Sequence, residues 1–181
     1  MQKPPPLPSE VLARVLRTSG IDGFSLVFIA GGFGLISSAF ADGLGALVGG
    51  LAAGAGMIEL RGRQKLRAGD VRGITWLVRS QLILLAVILF YVAYQLRNFD
   101  PLPLLANIEA SLASAQRSLG LEVTSLASSY GLSEKEFSAF IQTATRVAYV
   151  AVGFISVLFQ GGLAVYYHRR AQAVANALRK I

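Results

Sequence analysis

The fold class follows from residues 24–60, which read FSLVFIAGGFGLISSAFADGLGALVGGLAAGAGMIEL. Only two of these residues, Asp42 and Glu59, are charged. At about 1.5 Å per residue, a single helix of this length would measure roughly 55 Å, whereas the hydrocarbon core of a bilayer is about 30 Å thick. One span cannot use the whole stretch, and Asp42-Gly43 is typical of a turn. The sequence therefore predicts two spans, at about residues 22–40 and 43–60.

Two further apolar stretches have the length of a membrane span, at about residues 74–96 and 147–167. The composition of the 181-residue chain agrees, because 54% of it is hydrophobic, only 15% is charged and the mean hydropathy is +0.55. A soluble domain is about one quarter charged. We therefore predict an all-α, polytopic membrane protein with four transmembrane helices, of which the first two form a Gly-rich hairpin.

The segments around these spans divide the chain into five parts. Residues 1–20 contain a Pro-rich start and a short amphipathic helix, which we expect to lie in the membrane interface. Residues 21–97 hold the first three spans, residues 146–168 the fourth, and residues 169–181 form a tail. Between the spans, residues 98–145 are predicted to form an extracytoplasmic helical hairpin, whose second helix opens with a capping box at Ser133 and Glu136.

The first helix of that hairpin shows an apolar repeat of eleven residues, which suits a nearly straight coil. We expect its apolar stripe to contact a neighbouring helix. The stripe includes Ile108, Leu112, Leu119, Val123 and Leu126.

The basic residues predict the orientation. If the N-terminus is cytoplasmic, thirteen of the seventeen Lys and Arg residues fall on the cytoplasmic side, as the positive-inside rule requires. Trp76, Tyr166 and Tyr167 then lie at the inner interface. We predict an integral protein of the bacterial cytoplasmic (inner) membrane with both termini cytoplasmic. The basic run at residues 61–67 is interpreted as topogenic and as attractive to anionic lipid headgroups, not to nucleic acid.

An alternative interpretation of the N-terminal region is a signal peptide, with cleavage at Ala39-Phe40-Ala41. We favour an uncleaved hairpin, because the apolar sequence resumes directly after Asp42.

Glycine is concentrated in the predicted hairpin, with eleven of the nineteen glycines between residues 20 and 56. Small residues four apart allow two helix backbones to approach closely in lipid. We predict close packing of the first span on the second, and, because small residues cover more than one face, contact with a second copy or another membrane subunit. The predicted packing residues are Ala30, Gly34, Ser38, Gly45, Gly49, Gly50 and Gly54.

Three polar side chains are predicted inside the spans. Gln160 should face the other helices and hydrogen-bond to Ser37 or Ser38, since an amide is costly to expose to lipid. Arg79 is close enough to the cytoplasmic edge to extend its guanidinium into the interface. A pore-lining or ligand-binding role for Gln160, and a substrate or ion site at Arg79, are the alternatives.

Several activities are excluded by composition. The chain has no cysteine and one histidine, His168, so we expect no metal site, no cofactor and no enzymatic activity. A Gly-rich hairpin with a basic loop resembles the rotor-ring subunit of rotary ATP synthases, which implies a carboxylate near the bilayer midplane. Because Asp22, Asp42 and Glu59 lie at the ends of the predicted spans, we reject this resemblance and any proton pathway through intramembrane carboxylates.

Two functions remain. The first is an accessory, assembly or structural subunit that acts through close helix–helix packing. The alternative is a homo-oligomeric channel, with Gln160 or the serines of the first span facing water. The predominance of packing residues favours the first.

Overall fold

The computed structural model describes residues 7–40, 42–98, 110–111, 114 and 133–179. Within these ranges the regular structure is helical, without strands, and comprises α1 (Pro8–Ala39), α2 (Gly43–Arg67), α3 (Gly73–Asn98) and α4 (Glu134–Leu178). All four helices are long and apolar enough to cross a membrane. The predicted all-α class and the four candidate spans of an integral membrane protein are confirmed. The predicted coil stripe, from Ile108 to Leu126, lies outside the described residues.

Local side-chain chemistry sets the ends of α2. Asp42 precedes the helix, and its Oδ1 accepts a hydrogen bond from the backbone N–H of Gly45 at 2.9 Å, which satisfies one of the free donors of the first turn. After α2 the chain turns at Gly69, whose φ of +83° is a conformation that favours glycine. Asp70 then accepts a hydrogen bond from the N–H of Arg72 at 2.9 Å, just before α3 begins.

The first helix differs from the prediction, because α1 continues without a break from Pro8 to Ala39. The sequence predicts a short interfacial helix within residues 1–20, separate from a first span at about residues 22–40, and Thr18, Ser19 and Gly20 are weak helix formers. In the structure Ser19 and Gly20 are buried, as is Val15 one turn earlier. Tertiary packing therefore overrides the low local helix propensity.

The structure divides into two compact units, one formed by the residues up to Tyr91 and from Phe154, the other by residues 92–153. In the first unit, the start of α1, the end of α2, the start of α3 and the end of α4 share an apolar cluster. A second, smaller cluster joins α2 to α3, with side chains of α1 against it. The first cluster includes Val15, Leu66, Leu77, Tyr167 and Val174, and the second contains Ala52, Ala55 and Leu84.

In the second unit, the clearest local feature is the start of α4. The backbone N–H of Ser133 donates to Glu136 Oε2 at 2.9 Å, and the N–H of Glu136 donates to Ser133 Oγ at 3.4 Å. This reciprocal pair is the predicted capping box, which is confirmed. From there α4 runs for 45 residues, about 68 Å, so the fourth span and the segment before it form one helix.

Large apolar side chains cover the outer surface of the helices. Phe28 is 74% exposed, Leu35 75% and Leu158 61%. A water-soluble protein rarely leaves so much contiguous apolar surface uncovered, whereas lipid-facing helices require it.

Candidate functional site

The closest contact between α1 and α2 is made where both helices carry glycine. A Cβ atom added to Gly49 would lie 2.5 Å from Gly34 Cα and 2.8 Å from the carbonyl oxygen of Ala30. A Cβ atom on Gly34 would lie 3.2 Å from the backbone nitrogen of Gly50 and 3.3 Å from the carbonyl oxygen of Ala46. Backbone therefore packs directly on backbone at this level, which only a residue without a side chain permits.

The same contact continues toward the end of α2. A Cβ atom on Gly56 would lie 3.0 Å from the carbonyl oxygen of Gly23, and one on Gly23 would lie 3.3 Å from that of Gly56. At the other end, a Cβ atom on Gly45 would lie 2.6 Å from Ser37 Oγ. We call these six positions, Gly23, Gly34, Ser37, Gly45, Gly49 and Gly56, the glycine seam.

Three predicted packing residues, Gly50, Gly54 and Ser38, do not contribute to the glycine seam, and Ala30 contributes only its carbonyl oxygen, against Gly49. A Cβ atom on Gly50 or Gly54 would meet nothing within 4 Å among the described residues, so neither glycine is needed for a contact between them. Ser38 is exposed as well. Around the two glycines, Leu47 and Leu51 are 55% and 48% exposed, respectively. We call the surface formed by Leu47, Gly50, Leu51 and Gly54 the outer face of α2.

A polar cluster lies on the other side of α2. It takes one side chain from each helix, namely Asp22 from α1, Glu59 from α2, Gln81 from α3 and Tyr167 from α4. Glu59, Gln81 and Tyr167 are completely buried, whereas Asp22 is half-buried. Along α2 and α3, residues of the first apolar cluster lie on one side of Glu59 and Gln81, and residues of the second lie on the other side. The polar cluster therefore lies between two apolar layers.

Gln81 is the centre of this cluster. Its Nε2 donates to Asp22 Oδ2 at 2.7 Å and to Glu59 Oε2 at 2.8 Å. The second oxygen of Glu59, Oε1, accepts a hydrogen bond from the hydroxyl of Tyr167 at 2.9 Å. Since both carboxylates contact the same nitrogen, they are close neighbours within the helix bundle.

A separate hydrogen bond joins α3 to the backbone of α2. The buried hydroxyl of Ser80 donates to the carbonyl oxygen of Ala55 at 2.8 Å. Ser80 directly precedes Gln81, and Ala55 lies one turn before Glu59, so this bond fixes the register of the two helices beside the polar cluster.

Three buried polar atoms have no hydrogen-bond partner among the described residues, namely Arg63 Nε, Gln81 Oε1 and Gln160 Oε1. Buried polar atoms are normally paired, so each of these requires an explanation. The guanidinium of Arg63 packs against Gly20, where a Cβ atom would lie 2.6 Å from Arg63 Cζ. Gln81 Oε1 belongs to the amide that contacts both carboxylates.

The predicted intramembrane polar residues have different environments. Gln160 and Ser37 are 8% and 6% exposed, respectively, so both face other helices. No hydrogen bond from Gln160 to Ser37 or Ser38 occurs within the described part of the chain. Arg79 is exposed, on the opposite side of α3 from the polar cluster.

The polar cluster was not predicted from the sequence. The sequence predicts Asp22 and Glu59 at the ends of separate spans, and the structure brings the two carboxylates together on Gln81. Tyr167 was interpreted as an interfacial aromatic residue but is fully buried. The only signal was weak, because each of the four helices carries one of these polar residues toward its basic end, but without a shared spacing.

The cluster contains hydrogen-bond donors and proton-accepting groups. Within the described residues no three His, Cys, Asp or Glu side chains come together as metal ligands. Comparison of the chain with models of protein families, with curated proteins and with solved structures finds no match.

Proposed function

We propose that the protein is a non-enzymatic accessory or assembly subunit of a membrane, which acts through close helix–helix contact at the outer face of α2. The partner helix belongs either to a second copy of this chain or to another membrane subunit. The bilayer itself is the other partner, through the exposed apolar side chains of all four helices.

The observation that carries this proposal is the division of the α2 glycines between two faces. Gly45, Gly49 and Gly56 pack on α1, whereas the space beside Gly50 and Gly54 is open. Glycine in the interior of a helix costs about 1 kcal/mol relative to alanine, so two glycines without a role inside the chain require another reason. Four-residue spacing on an exposed, apolar surface is the pattern that brings a second helix into close contact in lipid.

The orientation is part of the same proposal. We infer that both termini are cytoplasmic and that the membrane is the bacterial inner membrane, because the basic residues are concentrated on one side of the predicted spans. Single substitutions Gln64→Cys and Ser125→Cys test this in a chain without native cysteine. The two thiols should be labelled from opposite sides of the membrane, and labelling of both from the same side would contradict four spans.

Association is tested with the double variant Gly50→Leu/Gly54→Leu. We expect it to reduce the oligomer measured in lipid nanodiscs, because the added side chains fill the space that a partner helix would occupy. The matched control is Leu47→Ala/Leu51→Ala, which changes the same exposed face without blocking close approach. An unchanged oligomer, or a monomer already in the native protein that also fails to retain any other subunit on purification, would contradict the proposal.

A homo-oligomeric channel is the alternative function. Gln160 and Ser37 were the predicted lining residues, and their burial within the chain does not favour a lumen between copies. Ion flux through liposomes that contain the protein distinguishes the two, since a packing subunit should not conduct. Conductance that is lost in Gln160→Leu would support the channel.

A further inference from the structure

The polar cluster has more acceptors than donors. Two N–H groups of Gln81 and one O–H group of Tyr167 supply all the hydrogens seen between these four side chains. They face the four oxygens of Asp22 and Glu59, each of which can accept more than one hydrogen bond. The remaining acceptor, Gln81 Oε1, is buried without any partner among the described residues. The cluster therefore lacks at least one hydrogen.

The same cluster lacks positive charge. Two ionised carboxylates on one amide nitrogen repel each other strongly in an environment of low dielectric constant. No Lys, Arg or His nitrogen lies within 4.0 Å of Asp22 or Glu59 in the described part of the chain. Arg63 follows Glu59 by one turn, but its guanidinium packs against Gly20 instead.

The surrounding helices leave few other titratable groups to compensate. On α1 the titratable group of the cluster is Asp22 itself. On α2 the cluster contains Glu59, and the nearest other titratable group on that side of the helix is Arg63. α3 contributes the neutral Gln81, because its Arg79 is exposed on another face. α4 contributes Tyr167, with Tyr166 beside it at a ring separation of 5.6 Å, and the guanidinium of Arg170 lies over the far ring, 5.8 Å from the centroid of Tyr166. A single bound proton would cancel one negative charge and supply the missing donor.

We propose that Asp22 and Glu59 form a proton-binding site and share one exchangeable proton between α1 and α2. The carboxyl O–H donates to an acceptor of the cluster, either the neighbouring carboxylate or Gln81 Oε1. Because Asp22 is half-buried while the other three side chains are fully buried, the proton enters and leaves through Asp22. Release of the proton leaves two like charges between the helices and loosens their packing.

This proton-binding site is not a proton pathway across the membrane, which the sequence analysis rejects. All three fully buried members lie at the level where basic residues begin, with Arg61 two residues after Glu59 and Arg169 two residues after Tyr167. The site therefore exchanges protons with one side of the membrane only. It couples the pH on that side to the packing of the four helices, in addition to the helix–helix contact proposed above.

Infrared difference spectroscopy of the full chain in lipid nanodiscs, recorded across a pH titration, tests the proposal. We expect the carbonyl band of a protonated carboxyl group to disappear as the pH rises, and thermal stability to fall over the same pH range. In Glu59→Gln, which keeps the side-chain shape, the part of the band that comes from the cluster and the accompanying stability change should be lost, while the contributions of the other Asp and Glu residues remain. Asp22→Asn should have the same effect and serves as the second variant if Glu59→Gln does not fold. The control is Glu10→Gln, an exposed acid of α1, which should retain both signals.

Two results would overturn the proposal. The first is a native protein whose titrating carboxyl band, beyond the loss of one ordinary carboxyl group, does not differ in its pH dependence from that of either amide variant. The second is a band and a stability that respond to sodium chloride but not to choline chloride at constant pH, since this would identify a sodium site in place of a proton site. Oligomer size does not enter either readout, so the outcome is independent of the proposed assembly function.

Discussion

α2 meets α1 and α3 in two different ways. Against α1 it presents glycines, and at Gly49 the contact depends on the absence of any side-chain atom. Against α3 it presents a carbonyl oxygen and a carboxylate, which accept hydrogen bonds from Ser80 and Gln81. It also presents Gly62 at the start of α3, where a Cβ atom on Gly73 would lie 2.5 Å from the carbonyl oxygen of Gly62. The contact with α1 depends on close backbone approach, whereas the contact with α3 also depends on hydrogen-bond donors. Both lie within one 25-residue helix, so substitutions in α2 and its neighbours can separate the two mechanisms.

The largest effect should come from adding one methyl group to the glycine seam. In Gly49→Ala the Cβ atom would lie 2.5 Å from Gly34 Cα, and backbone atoms cannot rotate away. We expect the free energy of unfolding to fall by about 3 kcal/mol, at the upper end of the usual cost of overpacking. Equilibrium unfolding in mixed detergent micelles measures this change.

Gly50→Ala is the matched control for that variant, one residue away on the outer face of α2. Its Cβ atom would meet none of the described residues within 4 Å, so the unfolding free energy of the monomer should stay the same or rise by up to about 1 kcal/mol, from the higher helix propensity of alanine. If both variants lost stability equally, the two faces of α2 would not differ as described.

The next largest loss of stability should come from removing a hydrogen bond of the polar cluster, on the other side of α2. Tyr167→Phe keeps the buried ring but removes the donor to Glu59 Oε1, at 2.9 Å in the structure. Leaving a buried acceptor without its partner costs about 1–2 kcal/mol, a range that also includes the stronger hydrogen bonds measured in membrane proteins. Tyr166→Phe is the control, because that hydroxyl does not contact the cluster. Equal losses in the two variants would remove Tyr167 from the cluster.

A smaller loss is expected for Ser80→Ala. This variant removes the 2.8 Å hydrogen bond to the carbonyl oxygen of Ala55, which still takes part in its own helix. We expect a decrease of about 0.5–1 kcal/mol in the same unfolding experiment, close to the average for interhelical hydrogen bonds in lipid. Ser38→Ala, at an exposed position of α1, should have no measurable effect. A loss of stability in the control alone would contradict the assignment.

The glycine seam and the polar cluster also differ in how much of each could be predicted from the sequence. The glycine seam repeats within two neighbouring helices, so the spacing of Gly34, Gly45 and Gly49 was visible as a pattern. The pattern could not tell which side of α2 faces α1, and Gly50 and Gly54 were therefore grouped with the seam. That distinction depends on the rotation of one helix relative to the other, which four-residue spacing alone does not fix.

The polar cluster could not be predicted in the same way, because its members come from four segments and show no local periodicity. Glu59 is separated from Tyr167 by 108 positions, and Asp22, Glu59 and Tyr167 each fitted a simpler role at the end of a span. The continuous α1 was missed for a related reason, since the burial of Ser19 and Gly20 is a property of the assembled helices. Length and hydropathy were sufficient to predict four spans, but the pairing of their polar residues required the three-dimensional arrangement.

The smallest effect on stability is expected from a substitution in the turn between α2 and α3. The hydrogen bond from the N–H of Arg72 is the main reason that the pKa of Asp70 lies below its ordinary value. The ammonium group of Lys65, 3.4 Å from the Asp70 carboxylate, lowers the pKa further. Because the folded-state pKa is the lower one, Asp70 stabilises the fold above the pKa of an unfolded aspartate, and this contribution is lost as the pH falls through the folded-state pKa.

Asp70→Asn should therefore reduce the stability slightly at neutral pH and leave it unchanged in acid, as measured by unfolding across that pH range. The exposed position keeps the effect well below that of Ser80→Ala. Lys65→Met, which removes the ion pair but leaves the hydrogen bond from Arg72, should retain most of the pH dependence. If Lys65→Met abolished that dependence, the ion pair would be the main cause of the low pKa, and the backbone hydrogen bond would be secondary.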